Sequence, residues 1–432
     1  NFLSLEETRA SNNIQASKQP NIIFVMVDDM GRDWISCYGA KHQTPNIDRL
    51  AKEGLRYETA WCNPICTPTR VTLLTGQYAF RHGWTHHYDV ARNGGDGLKW
   101  TRFTTFARVV RSAGYRTAIA GKWQINNLRR QPDALNQHGF DEHCVWPGAE
   151  QGFPETEQRY FNGSIMTNGR RETVPFGPDT INTFACDFVR RHKDQPFLLY
   201  YPMLLTHGPF GATPLNKDKP PQEKATSYAG YVTYMDRLVG RLIDAVDKAG
   251  IKQNTVIIFT GDNGTNKAIS SRLNGRVIRG GKGKMTDAGT RVPLVASWPG
   301  TIAAGGVSED LVDFSDFLPT VLETVGLPVP SGLDGHSFLS RLKGKSAYRP
   351  RSWVYIYYNP RPERTRPQRF VRDQRFKLYG NGRFFDVAND VEEQQQLVDF
   401  ARDPVAVAAH RRLKAAMASM PRQGQSLLKF AP

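Results

Sequence analysis

Residues 63–70, NPICTPTR, set Cys66 between Pro64 and Pro68, with Arg70 one helical turn further on. A cysteine so placed has four readings: a buried bystander, half of a disulfide, a thiolate nucleophile, or the precursor of another group. Two acidic pairs accompany it, Asp28-Asp29 and Asp262-Asn263, each at the end of a short apolar run. All four side chains offer oxygen, and no histidine or cysteine stands among them. The set suits a hard cation, Ca2+ or Mg2+, and not zinc. Taken singly, Asp28-Asp29 reads as a loop cap and GDNG as a turn. Two pairs at the ends of two hydrophobic strands favour a metal. Arg70, Lys122, His207 and Lys282 stand beside the same strand ends. Three carboxylates and one divalent cation still sum to a negative charge, which repels an anionic substrate unless positive groups join the site. Arg70 and the two lysines supply them. On its own, each lysine would read as a solvated surface group and His207 as a loop histidine.

The elements that must position these residues can be read from apolar runs and their punctuation. NIIFVMV (21–27), YRTAIAG (115–121), PFLLYYPML (196–204), TVIIFTG (255–261) and VPLVASW (292–298) are short, apolar and mostly β-branched or aromatic, which predicts buried strands. Helical periodicity predicts helices just after Cys66, over 103–114, 180–192, 228–250 and 315–326. Strands alternating with helices predict an α/β sheet covered on both faces. Four of the strands deliver Asp28, Lys122, His207 and Asp262 at or just past their C-terminal ends, where open α/β sheets build their sites. Beyond about residue 345 the texture changes to short strands (SWVYIYYN, QRFVRDQRFKLYG, RFFDV) and a closing helix over 403–420. This divides the chain into an extension (1–19), a catalytic α/β domain (20–344) and a C-terminal α+β subdomain (345–432).

Composition narrows the function classes. The 432 residues are 39% hydrophobic and 23% charged, an ordinary globular balance. The longest apolar run, PFLLYYPMLL, is far shorter than a membrane span of about 20 residues. The net charge of +16 suits an anionic partner. Without zinc-finger spacing, an RNP motif or a basic helix, nucleic acid is disfavoured. The five cysteines form no C-x-x-C pair, which argues against a zinc site or a dense disulfide framework. The polar N-terminal segment has no apolar signal core, so the protein is cytoplasmic or its signal peptide has been removed.

The residues then resemble a known family. CTPTR (66–70) resembles the signature C-x-P-x-R of the formylglycine-dependent type I sulfatases, bacterial polysaccharide sulfatases and arylsulfatases among them. PNIIFVMVDDMG (20–31), TPNIDRLAKEGLRYETAW (44–61), LLTGQYAFRHG (73–83), GYRTAIAGKW (114–123), THGPF (206–210), IIFTGDNG (257–264) and GGKGKMTDAGTRVPL (280–294) follow in that family's order. The resemblance implies an alkaline-phosphatase-like fold: a central mixed sheet flanked by helices, with a smaller C-terminal antiparallel sheet plus helix. It implies that Cys66 becomes formylglycine, made by a maturase and hydrated to a gem-diol. Asp28, Asp29, Asp262 and Asn263 would bind Ca2+, with Mg2+ as the other candidate. Arg70 would hold the diol, Lys122 and Lys282 the sulfate oxygens, and His207 would protonate the leaving alcohol. A second hydroxyl on the nucleophile explains the aldehyde, because a serine could accept sulfate yet has nothing with which to expel it.

Three positions depart from the family pattern. Gln124 stands in GKWQ where histidine is common, and an amide cannot accept the proton that leaves with sulfate release. His86 and His87 are the candidates to compensate, and with Gln124 they are the candidate substrate contacts. Thr69 replaces the commoner serine and keeps the hydroxyl. Asp287-Ala288 replaces Glu-Gly, with Asp287 expected to orient a lysine. The expected function is hydrolysis of sulfate esters on a sulfated poly- or oligosaccharide, in a periplasmic or secreted protein. A phosphate or phosphonate ester hydrolase of the same fold is the first alternative, and a catalytically degenerate binder of sulfated glycans the second.

Overall fold

The computed structural model describes residues 19–91, 94–154, 158–345 and 348–421. Apart from Gln19, the extension expected over 1–19 lies outside the described residues. Strands β1 (Asn21–Val27), β2 (Leu55–Trp61), β3 (Arg116–Gly121) and β4 (Glu142–Val145) come first. They are followed by β5 (Phe161–Thr167), β6 (Arg170–Phe176), β7 (Phe197–Pro202), β8 (Thr255–Gly261) and a small hairpin, β9 (Ser270–Leu273) with β10 (Arg276–Arg279). Then come β11 (Arg291–Ser297), β12 (Gly306–Ser308), β13 (Val312–Asp313) and the C-terminal strands β14 (Val354–Tyr358), β15 (Gln368–Arg372), β16 (Phe376–Tyr379) and β17 (Phe384–Asp386). The large sheet has 11 strands in the order β12-β2-β11-β8-β1-β7-β3-β4-β5-β6, with β13 also on β2.

β1 lies at the centre because both its faces are covered. Ile22, Phe24 and Met26 enter one core and Ile23, Val25 and Val27 the other. A strand buried on both faces needs a continuous apolar run, as this one has. Its neighbours β8 and β7 run parallel to it, and β3 runs parallel to β7. β11 is antiparallel to both β8 and β2, so the sheet is mixed.

The order β8-β1-β7-β3 sets four strand ends side by side, about 4.8 Å apart. Backbone bonds continue past the strands and pin the site residues. Asp262 N donates to Val27 O at 3.0 Å, Asp28 N to Leu205 O at 3.0 Å and Lys122 N to Pro202 O at 2.7 Å. Glycines allow this close approach. A Cβ on Gly121, whose φ is +130°, would meet Pro202 O at 1.9 Å, and one on Gly261 would meet Met30 O at 2.2 Å.

Several elements differ from the sequence reading. The helix expected just after Cys66 begins at it and spans Cys66–Thr75, with every residue buried. The helix expected over 103–114 spans only Phe106–Ser112, because Thr105 Oγ1 accepts from Arg108 N and caps it there. The β5–β6 hairpin and the antiparallel pairing of β2 were not anticipated. The C-terminal strands form a four-stranded antiparallel sheet, backed by helix Pro404–Ser419 through Ala409 and Leu413. This unit is joined to the large sheet's body by buried ion pairs. Arg372 Nη1 bonds both Asp287 oxygens at 2.6 and 2.7 Å, and Arg351 Nε bonds Asp316 at 2.8 and 2.9 Å. Among the described residues, no helix is long and apolar enough to cross a membrane.

Candidate active site

Cys66 opens its helix at the C-terminal edge of the sheet and is 2% exposed. Its Sγ lies 3.5 Å from Asp28 Oδ1 and 3.9 Å from Asp29 Oδ1. All five cysteines are free thiols, so the disulfide reading is out. Burial and then the nearby Asp262 carboxylate push the Cys66 thiol well above its ordinary value, which disfavours the thiolate reading. The Cys66 thiol sits among the strand ends that carry Asp28, Asp29 and Asp262.

Charged groups surround it in matched pairs. Lys122 Nζ donates to Asp28 Oδ2 at 2.7 Å, Lys282 Nζ to Asp29 Oδ2 at 2.8 Å and Arg70 Nη2 to Asp262 Oδ2 at 2.7 Å. Arg70 also donates to the Lys122 carbonyl at 3.1 Å, tying the helix to the end of β3. Three cations thus balance three buried carboxylates. A divalent ion added to that balance leaves a net positive site, as an anionic ester requires.

The donor set fits such an ion. One atom each from Asp28, Asp29, Asp262 and Cys66 lies within 4.8 Å of all the others. Burial, followed by repulsion from Asp28, pushes the Asp262 carboxyl up to about 6. Burial acts upward on Asp28 too, but Lys122, His207 and Arg70 outweigh it and hold that carboxyl well below its ordinary value. Asn263 is fully buried, and its Nδ2 donates to Asp29 Oδ1 and Gly264 O, both at 2.9 Å. Its Oδ1 has no hydrogen-bond partner. A buried amide oxygen left without a partner is costly, and a cation at this position would satisfy it.

His207 is brought to the same pocket, with Nε2 3.9 Å from Asp29 Oδ2. Arg159 Nη1 approaches its Nδ1 at 3.1 Å. Burial lowers the imidazole to about 4 against the pull of Asp28 and Asp29, and an anionic substrate would draw it back upward. Thr69 Oγ1 donates to the Asn63 and Ile65 carbonyls, both at 3.0 Å, so its hydroxyl fixes the loop before the helix. Gln124 is buried, with φ +71°, and donates to Glu150 Oε2 at 2.6 Å. His87 Nε2 lies 3.7 Å from the other Glu150 oxygen. His86 is buried with its ring 5.8 Å from that of Tyr88, and its carbonyl accepts from Thr67. Asp287 corrects an expectation. Its main partner is Arg372, with Lys377 only at 3.9 Å, and it serves the junction between the two sheets.

Sequence reasoning missed Glu150 and Arg159. Both lie in the connection between β4 and β5, where no motif or periodicity marks them. The Arg159 guanidinium lies 3.9 Å from the Trp146 ring centroid, and its Nε is buried without a partner.

The family model for sulfatases matches residues 20–327. This chain belongs to the sulfatase family. A second model, the C-terminal region of N-sulphoglucosamine sulphohydrolase, matches residues 281–422 of the sulfatase. Human arylsulfatase D is 29% identical over 428 residues, spanning 78% of this chain and 71% of its own. Mouse N-acetylgalactosamine-6-sulfatase is 32% identical over 368 residues, spanning 78% and 68%. Such relatives are sulfuric ester hydrolases, and so is this sulfatase. The crystal structure of Ps i-CgsB in complex with k-i-k-neocarrahexaose shares the alkaline-phosphatase-like fold at a TM-score of 0.77 and 23% identity, covering 96% of this chain and 95% of that one.

Proposed function

We propose that this sulfatase removes sulfate from a sulfated oligo- or polysaccharide, using a nucleophile derived from Cys66 beside a Ca2+ ion held by Asp28, Asp29, Asp262 and Asn263. The observation that carries the reading is the convergence with Cys66 Sγ of three carboxylates, each paired to a cation, beside Asn263, whose amide donates to Asp29 and whose oxygen has no partner. Formylglycine at this position supplies a hydrate with two hydroxyls, one to attack sulfur and one to release sulfate. A Ca2+ ion held by these residues would supply positive charge that favours a deprotonated hydroxyl.

The chain's own groups divide the remaining work. Lys122 and Lys282 bind the sulfate oxygens and stabilise the charge that builds on them. Arg70, held between Asp262 and the Lys122 carbonyl, fixes the nucleophile's orientation. His207 holds a proton toward the leaving alcohol. The depth of the site excludes water from these charges, which strengthens each interaction.

A maturase is a required partner in this reading, and it acts before folding. Cys66, Thr67, Pro68, Thr69 and Arg70 are all buried, so the tag is readable only on an extended chain. The net charge of +16 supports a polyanionic substrate. The carbohydrate named for the mouse relative and the oligosaccharide bound in the structural neighbour point the same way. Such substrates place the enzyme in the periplasm or outside the cell, which cell fractionation checks. The catalytic domain (20–344) and C-terminal subdomain (345–432) belong to the same reading.

The test compares kcat/KM for an aryl sulfate and an aryl phosphate, then screens defined sulfated mono- and oligosaccharides for released sulfate. Mass analysis of the peptide spanning residues 60–80 reports the state of Cys66. Preference for the phosphate, or turnover by protein whose Cys66 is a plain thiol, refutes the proposal.

A further inference from the structure

The reaction proposed for Cys66 needs a group that gives a proton to the leaving alcohol and another that takes one when sulfate departs. The groups nearest Cys66 cannot take one. The Lys122 and Lys282 ammonium groups are engaged as donors to Asp28 and Asp29. The three aspartates are committed to cations. His207 faces Asp29 on one side and Arg159 on the other.

A second cluster adjoins the segment that carries Lys122. Gln124, two residues after Lys122, donates to Glu150 Oε2 at 2.6 Å. That bond fixes both the amide's orientation and the carboxylate. Burial acts upward on Glu150, but Lys122, His87 and Arg159 outweigh it and keep the carboxylate ionised. Its other oxygen faces His87 Nε2 at 3.7 Å. This is too long for a hydrogen bond, yet close enough for strong attraction once the imidazole is charged. Such a pair is loose while the base is empty and tightens when it is filled. Thr67 Oγ1, next to Cys66, donates to the His86 carbonyl at 2.9 Å, which ties the segment carrying His87 to the residue after Cys66. The charged groups that act on His87 are Glu150, Lys122, Lys282 and Asp89, and His86 adjoins it. The His87 side chain is 40% exposed, and partial desolvation together with the two lysines lowers the imidazole from its ordinary value, which favours the neutral, accepting form.

We infer that His87 is the proton acceptor for sulfate release at Cys66, with Glu150 as its positioning carboxylate and Gln124 as the strut behind Glu150. The inference rests on the mechanism proposed above. With the Nε2 proton toward Glu150, Nδ1 carries the accepting lone pair. The O–H bond of the remaining hydroxyl breaks and its proton goes to His87. The electron pair left behind closes the carbonyl, and sulfate leaves with the pair of the broken C–O bond. His87 later returns the proton to solvent through its partly exposed edge.

Two measurements test this. The first is NMR titration of the His87 imidazole in Cys66→Ala protein, which neither matures nor turns over. Glu150→Gln in that background weakens proton affinity at His87 by at least about tenfold. The second uses matured enzyme. His87→Ala lowers kcat on an aryl sulfate by about 10²–10³-fold and lowers KM with it, leaving kcat/KM within about threefold. Intact mass then finds the enzyme carrying one SO3 group during turnover, in His87→Ala and in Glu150→Gln but not in wild type. An unchanged titration, or a raised KM with kcat preserved, overturns the assignment while leaving the parent mechanism standing. An unmodified Cys66 thiol in active enzyme overturns both.

Discussion

Asn263→Ala separates a metal site from an ordinary polar core. In the metal-free protein the substitution removes two hydrogen bonds of 2.9 Å and also one buried oxygen without a partner. The bonds contribute roughly 0.5–1.5 kcal/mol each, and the stranded oxygen costs roughly 1–3 kcal/mol, so the two effects nearly cancel. In EDTA the variant's stability therefore stays within about 1 kcal/mol of wild type. Calcium changes the comparison. An ion that binds only the folded state stabilises it by about 2.7 kcal/mol at one hundred times its Kd. A chain of 432 residues unfolds with an entropy near 0.9 kcal/mol/K, so wild type gains about 3 °C in Tm. Asn263→Ala loses an oxygen ligand and most of that gain. Calorimetry in EDTA, Ca2+ and Mg2+ measures all of it on protein of any maturation state. The reasoning fails if the variant shows the same calcium response as wild type, or if neither responds and the variant is several kcal/mol less stable. The unpartnered oxygen would then need another explanation.

Three further outcomes are expected. Cys66→Ser keeps the fold, because a hydroxyl fits the 3.5 Å contact with Asp28, but it accepts one sulfate per site and stops; steady turnover near wild type, read by sulfate release, argues against the nucleophile. Asp287→Asn strands the buried Arg372 and costs about 3–5 kcal/mol in denaturant unfolding at neutral pH. Arg372 and Lys377, prevailing over burial, hold the Asp287 carboxyl below its ordinary value. Its contribution is complete above the unfolded value near 4 and is lost as pH falls through the folded one, so the deficit of Asp287→Asn shrinks in acid. Arg159→Leu removes a guanidinium with an unpartnered Nε at the side of His207, and kcat/KM for a sulfated oligosaccharide falls at least about tenfold more than for an aryl sulfate. Equal losses on both substrates would place Arg159 with the chemistry and not with recognition.

How much was legible follows from where information sits in a sequence. β8 was readable to the residue, because a strand buried on both faces leaves an unbroken apolar run and its polar end is conspicuous. Asp28, Lys122 and Asp262, each the residue directly after such a strand, were readable for the same reason, whereas His207 lies five residues beyond the end of β7. The β5–β6 hairpin carried a signal of its own: Asn168-Gly169, with φ +47° and +86°, is the turn that two-residue hairpins favour. Gly163 and the exposed face of β6 blur the alternation that would have framed it. Glu150 and Arg159 had no signal, since what marks them is proximity to Lys122 and His207 across the fold.

Gln124 shows why the degenerate-binder reading loses ground. From sequence it is a missing base; in the fold it is a buried amide bonded to a carboxylate that faces a histidine. The motif position changed while the pocket kept a carboxylate and an imidazole from other segments. A binder of sulfated glycans needs exposed cations, and it needs no carboxylates beneath them. Burying the Arg70–Asp262, Lys122–Asp28 and Lys282–Asp29 pairs costs several kcal/mol of desolvation per ion before any attraction is counted. Apolar side chains of similar volume would fill that space at less cost. Three such pairs packed around a cysteine, beside an amide whose oxygen has no partner, favour the proposed enzyme site over the binder.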